Sequence, residues 1–149
     1  MERGGIIRFR CGYPKLAAEE AGQVIIGLGV DMEEISRIDE AIKRHGQTFL
    51  QRIYTPAEIA YCERHRDKAE RYAGRFAAKE ATMKALGTGW SKGVRWRDIE
   101  VVRMPGGRPT IVLHGAAREH AERMGARHIN LSITHTGNFA LAEVILEGE

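Results

Sequence analysis

Cysteine is almost missing from this chain: Cys11 and Cys62 are the whole complement. Two thiols are too few for a disulfide scaffold, and they lack the short paired spacing of zinc ligands. No apolar run approaches the ~20 residues of a membrane-spanning helix. Residues 1–22 hold no apolar signal core, because Arg3, Arg8, Arg10, Lys15, Glu19 and Glu20 interrupt them throughout. These absences point to a reducing cytoplasm and away from a membrane. There is no internal repeat, no low-complexity tract and no Walker phosphate loop. Gly27-Leu28-Gly29 lacks the third glycine of a dinucleotide fingerprint. What remains is 149 residues, 43% hydrophobic and 29% charged, an ordinary globular composition of single-domain length. Its net charge of +3 and pI near 9.0 suit phosphates, acidic proteins or nucleic acid as partners.

Residues 1–22 mix glycines, Pro14 and scattered charges with no sustained period, and read as an extension; 23–149 read as one domain. Val24 to Val30 is a short, largely β-branched run, the pattern of a buried strand ended by Asp31. Ile35, Ile38 and Ile42 recur at helical intervals, which predicts an amphipathic helix over 33–46 stopped by Gly46. Thr55-Pro56-Ala57-Glu58 is a helix start with a capping box and proline in the first turn. Strong helix formers run from Lys68 to Leu86, where Gly87-Thr88-Gly89 ends them. Strands follow over Ile99–Arg103 and Thr110–Leu113, then a helix over Ala116–Met124. A hairpin joins Ile129–Thr134 to Ala140–Leu146 through His135-Thr136-Gly137-Asn138. Mixed elements without βαβ alternation indicate an α+β fold.

Four features could carry chemistry. Asp31 is either a metal ligand at a strand end or half of a capping box with Glu34. Phe76, Glu80 and Lys84 share one face of the long helix, with Arg75 and Lys79 in the next row. That face is either a surface Glu80–Lys84 ion pair of little value or a half-desolvated carboxylate and amine that need a metal or phosphate. Arg71, Arg75, Lys79, Lys84, Lys92, Arg95 and Arg97 face one acid, Glu80, over residues 71–97, as a solvated basic face or a polyphosphate surface. Ser132-Ile133-Thr134-His135-Thr136 gathers hydroxyls and an imidazole at a hairpin tip, either idle in solvent or a phosphate contact. Cys62 reads as packing, since nothing nearby would activate its thiolate. Ser132, His135 and Asp31 could be written as a catalytic triad, but no nucleophile elbow supports one.

Ile26-Gly27-Leu28-Gly29-Val30-Asp31, Arg75-Phe76-Ala77-Ala78-Lys79-Glu80-Ala81, Lys84-Ala85-Leu86-Gly87-Thr88-Gly89 and Ser132-Ile133-Thr134-His135-Thr136 together resemble the holo-[acyl-carrier-protein] synthases. These are the small bacterial class of 4′-phosphopantetheinyl transferases, and the resemblance runs from about Val24 to Leu146. It implies one long central helix packed on a small, mainly antiparallel sheet. It implies transfer of 4′-phosphopantetheine from coenzyme A to a serine of apo acyl carrier protein, releasing adenosine 3′,5′-bisphosphate, in lipid biosynthesis. By the same resemblance Asp31 and Glu80 hold Mg²⁺, which prefers one or two carboxylates plus phosphate and water. By resemblance, too, Glu80 deprotonates the serine through a metal-bound water, since a directly ligated carboxylate is a weak base, and Lys84 screens the leaving phosphate. Arg75, Lys79, Ser132, Thr134 and His135 contact the coenzyme A nucleotide, and Arg37 faces the acidic carrier. A homotrimer with active sites between subunits is implied as well.

Two other readings compete. A metal-dependent nuclease wants an acid and a lysine two apart on a strand, whereas Glu80 and Lys84 are four apart on a helix. A non-catalytic nucleic-acid module wants a basic stripe interleaved with exposed aromatics. Trp90 and Trp96 flank the basic segment, but that reading leaves Asp31 and Glu80 without a task.

Overall fold

Close approach between one strand and one helix organises the protein, described here for residues 22–149 of a computed structural model. Strand β1 spans Val24–Glu34 and helix α3 spans Lys68–Leu86. Small residues let them touch. A Cβ added to Gly29 would lie 1.8 Å from the Ala81 carbonyl oxygen, and one on Gly27 would lie 2.3 Å from that of Ala85. Ala77, Ala78 and Ala81 are fully buried on the helix, so backbone packs almost on backbone. Strand β1 is longer than the sequence pattern indicates. Asp31 lies inside it, so it makes no capping box with Glu34, whose side chain caps nothing.

Helix α1 follows at Ile35–Ile53. Its cap comes from the far end of the chain: the Asn138 carbonyl accepts from Ile35 N and the Asn138 Oδ1 from Ser36 N. Gly46 kinks this helix with φ of 54° but does not stop it, because Leu50 and Ile53 bury on resumption. Helix α2, Pro56–Glu63, starts with the expected reciprocal box between Thr55 and Glu58. Helix α3 ends at Gly87 in the left-handed conformation, as glycine permits. A short 3-10 turn at Trp96–Asp98 leads into the hairpin of β2, Ile99–Arg103, and β3, Pro109–Leu113. Helix α4, Gly115–Met124, precedes β4, Ala126–Thr136, and β5, Phe139–Gly148.

Strands β1, β5 and β4 form an antiparallel sheet in that order, and β2 with β3 forms a separate pair. The fold is α+β, as expected. The core lies between α3 and the inner face of the larger sheet, where Ala140, Ala142, Val144 and Leu146 of β5 are buried. Full burial of Val144 and Leu146 contributes ~1.5–3 kcal/mol each. Among the described residues no helix covers the outer face. There Leu28, Val30 and Met32 stay more than half exposed, so the expectation of a buried first strand holds for one face only. The expected 1–22 extension lies, except for Gly22, outside the described residues.

Candidate active site

Side chains alternate along β1, so the inward row that begins with Gly27 and Gly29 continues with Asp31 and Glu33. Across from them α3 presents Glu80 and Lys84, one turn apart. Lys84 Nζ donates to Asp31 Oδ1 at 3.0 Å and to the Val30 carbonyl at 2.9 Å. It therefore pairs with Asp31, not with Glu80. Asp31 Oδ2 is buried and has no hydrogen-bond partner among the described residues. Burial and the Asp31 charge raise the Glu80 pKa, against weaker opposing effects of the Trp90 indole N–H at 3.4 Å and of Lys84. Glu33 is pushed up to about 7 by burial, then by the Asp31 carboxylate beside it and the charge of Glu80, with Arg37 opposing. Sequence reading passed over Glu33, although period-two alternation from Asp31 points to it.

This acidic corner suits a hard divalent cation. Among the described residues no set of three His, Cys, Asp or Glu is arranged to hold a metal. Mg²⁺ needs only one or two carboxylates when phosphate and water complete its shell. A buried, unpartnered carboxylate oxygen is also the kind of orphan that a cation would satisfy.

Nearer the start of α3 lies a cavity of about 220 Å³, lined by Tyr61, Glu70, Arg71, Arg75, Arg103 and His135 among others. The Arg75 guanidinium stacks 3.9 Å above the Tyr61 ring, and Arg103 donates to the Tyr61 hydroxyl. Nε of Arg71 and Nε of Arg75 are buried without acceptors among the described residues. His135 Nε2 lies 3.3 Å from Glu70 Oε1. Several donors and little counter-charge suit this cavity to an anion.

Other expected contacts are rearranged. Lys79 is not placed to touch phosphate, because it is 0% exposed. Its ammonium donates to Glu58 Oε1 at 2.7 Å and to the carbonyls of Trp96 and Ile99, which uses all three N–H groups inside the protein. The basic run of 71–97 is thereby split among unlike environments: Arg75 and Lys79 are buried, Lys84 pairs with Asp31, and Arg95 approaches Asp98. Nor do Ser132 and Thr134 join His135. Register sets His135 opposite Ala140 on the core side, while Ser132 faces Glu143 and Thr134 faces Leu141 on the outer side. Trp96 is 8% exposed, which removes half of the aromatic stripe a nucleic-acid surface needs. Cys62 is buried and its thiol is pushed up to about 12, so it is no nucleophile. Arg37 lines a shallow depression on α1 with Arg44 and His45.

Comparison with known proteins points to one family. The sequence profile of the 4′-phosphopantetheinyl transferase superfamily matches residues 27–143. The holo-[acyl-carrier-protein] synthase of Solibacter usitatus is 57% identical over 124 residues, covering 83% of this chain and 99% of that protein. The crystal structure of the Neisseria meningitidis holo-[acyl-carrier-protein] synthase has a TM-score of 0.76 at 33% identity, covering 83% of this chain and 98% of that one. That of the Bacillus anthracis synthase, in complex with coenzyme A (3′,5′-ADP), has a TM-score of 0.70 at 35% identity, covering 86% and 100%.

Proposed function

The chain belongs to the 4′-phosphopantetheinyl transferase superfamily, and on that premise we propose that it carries 4′-phosphopantetheine from coenzyme A to a serine of apo acyl carrier protein, with adenosine 3′,5′-bisphosphate as the other product. The observation that carries the reading is the acidic corner, where Asp31 keeps a buried free oxygen beside a half-desolvated Glu80. Asp31 and Glu80 would hold Mg²⁺, which when bound offsets the negative charge of the pyrophosphate. Glu80 would take the serine proton through an intervening water, since a carboxylate that also holds a cation is a weak base. Lys84 fixes Asp31 with one contact and keeps half its side chain in solvent, where its charge meets the leaving phosphate.

Arg75 and His135 serve the nucleotide from the arginine-lined cavity. Ser132 and Thr134 look away from that cavity, so any nucleotide they touch belongs to a neighbouring subunit's site. Arg37, with Arg44 nearby, offers positive charge to an acidic carrier at the edge of the same corner, close enough to act on Glu33.

The transfer is tested by incubating the protein with coenzyme A, Mg²⁺ and apo carrier and weighing the carrier. A gain of one phosphopantetheine group, lost when a chelator removes Mg²⁺, is the expected result. An unmodified carrier that a second transferase does modify overturns the reading.

We also propose a homotrimer, supported by the outer sheet face. Leu28, Val30 and Met32 form an exposed apolar row on β1. An uncovered row of this kind calls for a partner surface. Sedimentation equilibrium should give three times the 16.7 kDa chain mass; a monomer at micromolar concentration refutes it. Among the described residues no helix is long and apolar enough to cross a membrane.

A further inference from the structure

Among the described residues Glu70 is the one acid that lines the arginine-rich cavity, and no step of the proposed transfer uses it. The cavity collects the guanidiniums of Arg71, Arg75 and Arg103 around the His135 imidazole. Arg75 is 6% exposed, and its Nε, like that of Arg71, is buried with no acceptor. A buried N–H without a partner is costly, so two of them on one cavity call for an anion. Three guanidiniums against one carboxylate leave an excess of two positive charges. A phosphate monoester carries about −1.5 to −2 near pH 7, against an excess of two with Glu70 in place and three once it swings out. Yet the Glu70 carboxylate already lies 3.3 Å from His135 Nε2, on the ring edge an incoming phosphate would use.

We propose that Glu70 is a built-in placeholder for the nucleotide's 3′-phosphate: its carboxylate occupies His135 until a phosphate monoester displaces it, and this exchange sets the cavity's affinity and selectivity. The inference rests on the transferase reading for the identity of the ligand only. Glu70 sits in the first turn of α3 and keeps about a quarter of its side chain in solvent, so it can swing outward. A nucleotide that carries a hydroxyl in place of the 3′-phosphate brings no charge to His135 from that position with which to expel it. Glu70 thereby weakens the hold of the 3′-phosphate on His135 and leaves a nucleotide without that group unaffected.

Calorimetric titration of the full chain with 3′,5′-ADP and with 5′-AMP tests this. Glu70→Gln keeps shape and helix propensity, and its melting temperature should stay close to that of the wild type. The variant should bind 3′,5′-ADP about three- to fivefold more tightly, the size of a partly exposed ion pair, with 5′-AMP unchanged. Unchanged or weaker binding of 3′,5′-ADP overturns the proposal. Equal tightening of both nucleotides overturns it too, since that is a general charge effect. A wild type that binds 3′,5′-ADP but modifies no carrier refutes the transferase reading and leaves this one standing. A wild type that transfers, with a variant that binds as the wild type does, refutes only the placeholder.

Discussion

Glu80→Gln should lower carrier modification by about a thousandfold or more, within the range lost when a positioned general base is removed, and should leave the fold intact. The amide matches the carboxylate in shape and can still accept from the Trp90 indole, so packing around α3 persists. It loses the charge that a cation needs and the basicity that the serine proton needs. Stability should hold or rise. Burial and Asp31 raise the Glu80 pKa, so its charged form is disfavoured in the folded protein. An acid raised in this way is destabilising above its folded pKa, and a neutral side chain removes that strain at pH 7. Thermal melting and the carrier-mass assay measure both effects on one preparation. A variant that keeps a tenth of the wild-type rate is incompatible with the role given to Glu80.

Lys79→Met should lower stability by about 3–5 kcal/mol, the usual effect of breaking a buried ion pair from one side. Glu58 would remain 1% exposed as a carboxylate, still accepting from Thr55 N and Val101 N but without its counter-ion. Burial pushes the Lys79 pKa down while Glu58 pushes it up, so the pair depends on mutual contact. The double variant Lys79→Met with Glu58→Gln removes both charges and should recover about half of the loss. Urea denaturation of the two variants gives the comparison. A phosphate-binding lysine would behave otherwise: Lys79→Met would then weaken coenzyme A binding at unchanged stability.

That contrast marks where one-dimensional reading stops. Arg75 and Lys79 look alike in sequence as paired basic residues one turn apart. In the fold, Arg75 borders the anion cavity and Lys79 pins α2 and the β2 approach to α3. The difference comes from Glu58, which lies 21 residues before Lys79 and was legible only as a capping residue. Glu33 was legible in principle, since an inward row through Gly27, Gly29 and Asp31 reaches it by alternation. His135 and the hydroxyls beside it looked like one cluster because they are adjacent in sequence, yet strand pleating sends them to opposite faces.

From the sequence alone came the element types, the helix start at Thr55, the helix end at Gly87, the α+β class and the family. These rest on local chemistry: capping side chains, glycine's freedom at positive φ, and apolar periodicity act within a few residues. Tertiary structure decided which charges meet. Lys84 reaches Asp31 across 53 residues, and Asn138 caps α1 across 102. Burial then set each group's character: it turned Lys79 into a strut, left Asp31 with a free oxygen, and left two arginines with unspent donors. Desolvation and long-range pairing depend on what the chain folds against, and residue order does not contain that directly.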